Sequence, residues 1–186
     1  ESVIIAPEAS GKISGIFFEE GQRVKKGQAL VTLDDATLQA NLAGAEADRV
    51  LSEIKHKRAD ALIREDAISK QEKDEAYASW QKAEADVRLI KSQIDKTSIK
   101  APFDGTVGLR KISIGAYVQQ GAEIVNLEDT SVLKISFNIP QNDVDKIRVS
   151  QKISISTSTY PDKEFLGEIT ALNPRIDEAS RSMAVR

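Results

Sequence analysis

The sequence predicts a mixed β and α chain: a flattened β-sandwich interrupted by a long antiparallel helical hairpin, followed by an incomplete β-barrel with one short helix. Three observations predict this fold class. Two glycine-rich β segments share one pattern, an uninterrupted helical pattern separates them, and alternating strands follow. The predicted domains are residues 1–34 with 97–130 for the sandwich, 35–96 for the hairpin and 131–186 for the barrel.

The two β segments are related by an internal repeat. Short apolar runs broken by glycine, typical of strands joined by tight turns, fill residues 3–33. The same design returns in residues 99–128 at a constant offset of 94 residues, which indicates a duplication. Neither segment is long enough to bury a core alone, so we expect one sandwich built from both. Six glycines are expected at structural turns: Gly11, Gly21, Gly27, Gly105, Gly115 and Gly121.

The hairpin is predicted from two runs of apolar residues spaced by four and three, the pattern of a coiled-coil seam. The second run is Ala76, Trp80, Ala83, Val87, Ile90 and Ile94. The first run is Ala36, Ala40, Ala43, Ala47, Val50, Ile54 and Ala61, with Lys57 as its polar member. Ser69 stands three residues before Glu72, as in a capping box, and is predicted to open the second helix.

The connection between the two runs is short, which makes the helices antiparallel neighbours. Folding the chain about Ala67 is expected to set Ile54 against Trp80. A first helix from Asp35 to Arg64 would be ~45 Å long. That length exceeds what a small domain needs, so the sequence predicts an arm that carries a contact surface away from a body.

The last third of the chain alternates apolar and polar residues, which is typical of half-buried strands. The alternation first predicts a strand from Leu133 to Ile139 and then a short helix from Asp143 to about Val149. Further expected elements are a strand around Ile153, a turn at Tyr160–Lys163, a strand from Phe165 to Leu172 ended by Asn173-Pro174, and a strand from Arg181.

Composition excludes several classes of function. The net charge is −3, and this mild acidity argues against a nucleic-acid or membrane-surface partner. The chain has no cysteine, one histidine and one methionine, so soft-metal and thiolate sites are not supported. His56 is expected on a solvated helix face. No catalytic constellation is present, and the sequence therefore predicts neither an enzyme nor a bound cofactor or metal.

The paired G-x5-G segments, Gly21–Gly27 and Gly115–Gly121, are each followed by an apolar strand and flank a coiled coil. This arrangement resembles the split lipoyl-like (biotinyl-like) domain of bacterial membrane fusion proteins of the HlyD and AcrA type, the periplasmic adaptors of tripartite efflux pumps. The D-x3-R-x3-V-R stretch from Asp177 to Arg186 is similar to their β-barrel domain. The resemblance implies a missing membrane-proximal domain and an inner-membrane anchor in an N-terminal segment outside this chain.

The resemblance implies a periplasmic, non-enzymatic adaptor that bridges a resistance-nodulation-division (RND) transporter and a TolC-like outer-membrane channel. It also implies a ring of three or six copies. The spacing R-x3-L-x6-S in Arg58, Leu62 and Ser69 is similar to the tip motif with which such adaptors engage the channel. Each residue has a structural alternative: a solvated cation for Arg58, a seal of the turn for Leu62 and a helix cap for Ser69.

Other functions remain open at this stage. Within the family, the chain could serve an ABC-type exporter or a type I secretion system. An acyl-carrier domain would belong to another class, but its modified lysine sits in a D-K-A turn, and here the turn reads Asp34-Asp35-Ala36, with Asp35 at the lysine position. A passive coiled-coil scaffold is a third class.

Overall fold

The computed structural model describes residues 1–177 and 180–186, and Asp162 through its backbone alone. The chain divides into two compact units, Glu1–Ser131 and Val132–Arg186. In the first unit, all of whose residues are described, eight strands form two four-stranded sheets. Before the helices come β1 Ser2–Ile5, β2 Gly11–Ile16, β3 Arg23–Val24 and β4 Ala29–Leu33. After them come β5 Ser98–Lys100, β6 Gly105–Val107, β7 Tyr117–Val118 and β8 Val125–Glu128.

Each sheet of the sandwich mixes strands from both halves of the repeat. One has the order β1-β8-β6-β3 and the other β5-β4-β2-β7. Exchanging every strand for its counterpart in the other half converts the first order into the second. The predicted duplication, with one sandwich made from both halves, is therefore confirmed.

The sandwich core is also drawn from both halves. Its members exposed by 2% or less, apart from alanine, are Ile13, Val24, Leu30, Val31, Leu33, Val107, Ile124, Val125 and Leu127. Burial of each such side chain stabilises the folded state by about 1.5–3 kcal/mol. Strands β4 and β5 are antiparallel neighbours in one sheet, with Thr32 opposite Ser98, so the hairpin leaves and re-enters the sandwich at paired strands.

The six repeat glycines have two different roles. Those with a left-handed backbone are Gly21 (φ +78°), Gly27 (+81°), Gly115 (+85°) and Gly121 (+81°). Gly11 and Gly105 instead begin β2 and β6, so the prediction of turns at these two positions is wrong. A Cβ on Gly105 would lie 2.7 Å from the carbonyl oxygen of Glu128, so close backbone approach is what requires glycine there.

Two long helices are inserted between β4 and β5: α1, Ala36–Arg64, and α2, Lys70–Asp95. Ser69 caps α2 through the predicted capping box, because its Oγ accepts from the backbone N–H of Glu72 at 3.2 Å and its own N–H donates to Glu72 Oε2 at 2.8 Å. The predicted helix start at Ser69 is confirmed.

The face of α1 that packs on α2 is not the predicted one. The partly or fully buried positions of the 4-3 pattern are Leu38, Leu42, Ala45, Arg49, Ser52, His56, Ala59 and Ile63. Val50 and Ile54 are 46% and 49% exposed. The predicted stripe was two residues out of phase, and two residues turn a helix by about 200°, to its opposite side. The larger Leu38, Leu42 and Ile63 bury more apolar surface than the alanines of the predicted stripe.

The seam on α2 lies where the sequence placed it. Ala83 and Val87 are buried, and Ala76, Trp80, Ile90 and Ile94 are partly buried. Three contacts set the pairing of the helices: His56 stacks on Trp80, Lys73 Nζ lies 3.0 Å from Asp60 Oδ1, and Lys91 Nζ lies 2.9 Å from Glu46 Oε1. Paired residue numbers sum to about 136, so the helices run antiparallel.

The second unit contains two sheets among its described residues, β12-β13-β9 and β10-β11. Its elements are β9 Phe137–Pro140, a 3₁₀ helix Gln141–Lys146, β10 Lys152–Thr157, β11 Tyr160–Glu168, β12 Leu172–Asp177 and β13 Ser182–Val185. Buried side chains of the cluster between them are Ile139, Ile169, Met183 and Val185.

Several predicted bounds in this unit are wrong. The strand begins at Phe137, and Leu133 is 80% exposed. The helix is 3₁₀ and begins directly after Pro140, without a side-chain cap. The residues expected as a turn at Tyr160–Lys163 open β11, with Tyr160 opposite Thr157.

Pro174 lies inside β12 and does not end a strand. This is possible because β12 pairs with β13 alone among the strands that the structure describes, and its register shifts between Leu172 and Ile176. A proline lacks the N–H that a central strand would need, but an edge strand with an irregular register tolerates it.

Candidate functional site

The tip of the hairpin is a tight five-residue connection between α1 and α2. The N–H groups of Glu65 and Ala67 both donate to the carbonyl oxygen of Leu62, at 3.2 and 3.0 Å. Asp66 adopts a left-handed backbone with φ +53°, a conformation that Asp tolerates better than most residues. These bonds satisfy the carbonyl group of Leu62 in the last turn of α1 and close the turn.

The three residues predicted for docking lie near the tip and differ in exposure and in the contacts that they make. Arg58 is exposed, and no ion-pair partner for it occurs among the described residues. Leu62 is half-buried one turn further along α1. Ser69 is exposed, but its hydroxyl is engaged at 2.9 Å from Glu72 Oε2 as part of the helix cap. The cap lowers the pKa of Glu72, because the Ser69 backbone and hydroxyl both donate to its carboxylate.

Ion pairs tie the two helices together close to the tip. The Lys73 ammonium, which donates a hydrogen bond to Asp60, holds the pKa of that carboxyl below its usual value, with a smaller contribution from the charge of His56. Within α1, the Lys57 ammonium lies 2.6 Å from Glu53 Oε1 and lowers the pKa of Glu53. Of these two ion pairs, Lys73–Asp60 joins α2 to α1, whereas Lys57–Glu53 lies within α1.

Next to these ion pairs, an aromatic cluster lies in the seam, where His56 was expected to be solvated. Its side chain is 15% exposed, so that prediction is wrong. The imidazole lies 5.2 Å from the Tyr77 ring and 5.3 Å from the Trp80 ring, measured between centroids. His56 Nε2 is 3.5 Å from Asp60 Oδ2, while His56 Nδ1 and Trp80 Nε1 are buried without a hydrogen-bond partner among the described atoms.

The outer side of α1 carries an exposed apolar stripe. Its large members are Val50, Leu51 and Ile54, exposed by 46%, 52% and 49%. Its small members are Ala36, Ala40, Ala43, Gly44, Ala47 and Ala61. The outer positions of a solvated helix are ordinarily polar. Sequence reasoning found these residues but assigned most of them to the seam, and their exposure is visible only in the structure.

The turn between β4 and α1 is a helix start. Asp34 Oδ1 accepts from the N–H of Ala36 at 3.1 Å, and Asp35 Oδ2 accepts from Gln39 Nε2 at 2.8 Å. Both carboxylates therefore serve the first turn of α1, and no lysine stands there. This arrangement does not favour the acyl-carrier alternative.

Two features are absent from the residues that the structure describes. In that part of the chain, no group of three or more His, Asp or Glu side chains is placed to hold a metal ion. No helix within it combines the length and the apolar character needed to cross a membrane.

The comparison with protein families agrees with this architecture. Residues 1–130 match the family described as "RND MFP, barrel-sandwich hybrid domain", and residues 135–186 match "CusB-like, beta-barrel domain". The chain belongs to the RND membrane fusion protein family. The match over the split sandwich includes the hairpin inserted in it.

Several curated relatives of this membrane fusion protein are named as periplasmic linkers of efflux pumps. It is 36% identical to an uncharacterized protein of Haemophilus influenzae, over 97% of this chain and 47% of that protein. It is 35% identical to the toluene efflux pump periplasmic linker protein TtgG of Pseudomonas putida, over 63% of this chain and 30% of that protein. The chain spans at most half the length of these relatives.

Solved structures share the fold along the whole chain. A putative efflux transporter from Bacteroides eggerthii superposes with a TM-score of 0.84 at 28% identity, covering 100% of this chain and 57% of the other. A MacA-MexA chimeric protein containing the α-hairpin domain of Pseudomonas aeruginosa MexA superposes with a TM-score of 0.80 at 23% identity, covering 100% and 69%.

Proposed function

We propose that this membrane fusion protein is part of a periplasmic adaptor that joins an inner-membrane RND transporter to a TolC-like outer-membrane channel in a drug efflux pump. The observation that carries the proposal is a 29-residue helix, α1, paired with α2 on a sandwich domain of the RND family. At 1.5 Å per residue, α1 is about 44 Å long, enough to reach from a ring of sandwich domains toward a distant partner.

The adaptor works by assembly. Sandwich and barrel domains of three or six copies pack side by side in a ring, and their coiled-coil arms form a tube toward the channel. An N-terminal segment outside this chain anchors the ring at the inner membrane, where the barrel side faces the transporter. The relatives called periplasmic linker proteins of efflux pumps support this placement.

The hairpin tip makes the contact with the channel. Arg58 offers several guanidinium donors for carbonyl or carboxylate groups of a partner, and none of them is used within the described chain. Leu62 provides an apolar anchor one turn away. Ser69 contributes less, because its hydroxyl already caps α2.

A resistance assay in the full-length protein tests both parts of the proposal, the adaptor function and docking through the hairpin tip. Deleting the gene should lower the minimal inhibitory concentration of pump substrates, and Arg58→Asp and Leu62→Asp should reproduce that loss and abolish crosslinking to the channel. Both substitutions are at the helix surface or half-buried, so the variants should still accumulate and melt as helices. Arg64→Asp, at the end of α1 and also exposed, is the matched control and should retain resistance.

The outcomes distinguish the adaptor function from docking through the tip. Loss on gene deletion with full resistance in both tip variants would refute docking through the tip but leave the adaptor proposal standing. No loss on gene deletion, with a co-purified ABC-type transporter, would refute the RND assignment.

A further inference from the structure

We propose that Glu65 is a further docking residue of the hairpin tip, whose carboxylate binds a lysine or arginine side chain of the outer-membrane channel. The inference rests on the proposed function, because it takes docking through the tip as given. It adds the residue through which the tip selects its partner by charge.

Helical spacing places Glu65 on the docking face of α1. Arg58, Leu62 and Glu65 follow one another at steps of four and three residues, so their side chains lie on one side of the helix. Glu65 comes directly after the last residue of α1, and its N–H donates to the carbonyl oxygen of Leu62 at 3.2 Å, which continues the last turn. Toward the end of the hairpin, this face therefore presents a cation, then an apolar side chain, then an anion.

The position of Glu65 is unfavourable for the hairpin itself. The C-terminal end of a helix carries a partial negative charge, so an acidic side chain there destabilises the helix. The Glu65 side chain is exposed, and it has no ion-pair or hydrogen-bond partner among the described residues. Glu72 differs, because it lies at the positive end of α2 and its carboxylate accepts hydrogen bonds from Ser69. The stability of the tip thus accounts for Glu72 but not for Glu65.

The backbone holds Glu65 in a fixed position. The N–H of Asp66 donates to the carbonyl oxygen of Ile63 at 3.3 Å, and Asp66 has a left-handed backbone. The N–H of Ala67 donates to the carbonyl oxygen of Leu62 at 3.0 Å. These features together form the Schellman motif, which ends a helix in one defined conformation. A side chain presented by such a turn loses less conformational freedom on binding than one on a flexible loop.

The same geometry defines the surface of the partner. Arg58 and Glu65 are seven residues apart, which corresponds to about 10 Å along the helix axis. A matching channel offers carbonyl or carboxylate oxygens to Arg58 and a cationic side chain to Glu65, with an apolar patch for Leu62 between them. Charges at the exposed rim of an interface chiefly set specificity and the rate of association. Glu65 therefore discriminates between channels, because an acidic residue at the cationic position would repel it.

Two substitutions that each remove one carboxylate from the tip test the inference in the full-length protein. Glu65→Gln should lower the yield of crosslinking to the TolC-like channel of the same strain by about twofold to fivefold. Asp66→Asn is the matched control, because asparagine tolerates the left-handed backbone, and its yield should not change. An unchanged yield in Glu65→Gln, or an equal loss in both variants, would overturn the inference.

Thermal melting separates a contact with the channel from a role in the fold. Glu65→Gln removes an acid from the negative end of α1, so its melting temperature should stay the same or rise. A residue that only stabilised the tip would give the opposite sign. Loss of crosslinking together with a lowered melting temperature would therefore overturn the inference.

A charge reversal identifies the partner group. Glu65→Lys should lower the crosslink yield by about tenfold or more, because like charges then meet across the interface. Selection for resistance in that variant should return channel mutants in which a lysine or arginine is replaced by an acidic residue. Restored resistance that never involves such a replacement would contradict the proposed contact.

Arg58→Asp distinguishes this inference from the proposed function. If Arg58→Asp abolishes crosslinking and Glu65→Lys does not lower it, the role of Glu65 is refuted and docking through the tip stands. If neither variant changes crosslinking, docking through the tip fails, and the inference fails with it. The resistance of the gene deletion then still decides the adaptor function by itself.

Discussion

The imidazole of His56 lies parallel to the indole of Trp80, with the ring planes 10° apart and the centroids separated by 5.3 Å. This stack joins α1 to α2 on the tip side of the arm and fixes the phase of α1, because it turns Ile54 away from α2. Tyr77 packs on both rings and closes the cluster. The cluster is therefore the contact against which the register of the hairpin is best tested.

Removing the indole should destabilise the hairpin. Trp80→Ala deletes a half-buried ring that packs on His56 and Tyr77, and we expect a loss of about 2–3 kcal/mol in the free energy of unfolding, below the range for a fully buried ring. Ile54→Ala, at the exposed position first expected in the seam, is the control and should cost no more than about 0.5 kcal/mol. Chemical denaturation followed by circular dichroism measures both, and equal losses would contradict the observed phase.

His56→Phe should leave the hairpin as stable as before or stabilise it by up to about 1 kcal/mol. Phenylalanine can keep the stack on Trp80 and removes the buried Nδ1 that lacks a partner, although the contact with Asp60 is lost. Thermal melting at pH 7 measures the change. A loss larger than about 1 kcal/mol would mean that the Asp60 contact outweighs the unpartnered nitrogen.

Arm length should change only by whole heptads taken from both helices at one height. Deleting residues 46–52 together with 84–90 removes matched segments, because the paired numbers sum to about 136, and the shortened hairpin should melt cooperatively. Deleting residues 46 and 47 alone turns the remaining seam of α1 by about 200°, off α2. Equal melting temperatures for the two deletions would contradict the pairing.

Acid should loosen the tip. The pKa of Glu72 is below its ordinary value of 4.5 because Ser69 donates to it, so the folded state favours the carboxylate. That contribution is fully present above pH 4.5 and is lost as the pH falls through the lowered pKa of the folded state. The melting temperature should be flat from pH 7 to 5 and then fall, and Glu72→Gln should reduce the fall. An unchanged fall in that variant would assign it to other carboxylates, such as Asp60.

No biotin or lipoate should be attached to the chain. The turn that would present a carrier lysine holds Asp35, whose carboxylate accepts from Gln39 in the first turn of α1. Intact-mass measurement after co-expression with biotin and lipoate ligases should show the unmodified polypeptide. A stoichiometric adduct on any lysine would contradict the assignment as an adaptor domain.

The sandwich and the phase of α2 were predictable, because both rest on local signals. Turn glycines such as Gly21 and Gly115 require a left-handed backbone wherever they occur, so their repetition exposes the duplication. The seam of α2 contains apolar residues throughout, such as Trp80 and Val87. In these places residue type and structural role agree.

The phase of α1 was not predictable from residue type. Its true seam includes the polar residues Arg49, Ser52 and His56, which are partly buried, while the stripe with more apolar residues faces outward. A pattern of apolar residues says that a face is covered, but not by which partner. The tip residues were found by resemblance alone, and their docking role stays a prediction.

Thr32 and Ser98 are neighbours in one sheet although 65 residues separate them along the chain. Closing a flexible loop of that length has a large entropic cost and ordinarily slows folding. Here the intervening segment is a helical hairpin whose own contacts are local and whose two ends emerge side by side. Once the helices pair, β4 and β5 are already close, and the effective loop shrinks to a few residues. The helical arm thus helps its own sandwich to fold. A variant with a disrupted seam should refold its sandwich more slowly than the intact chain does, and its unfolding rate should change less.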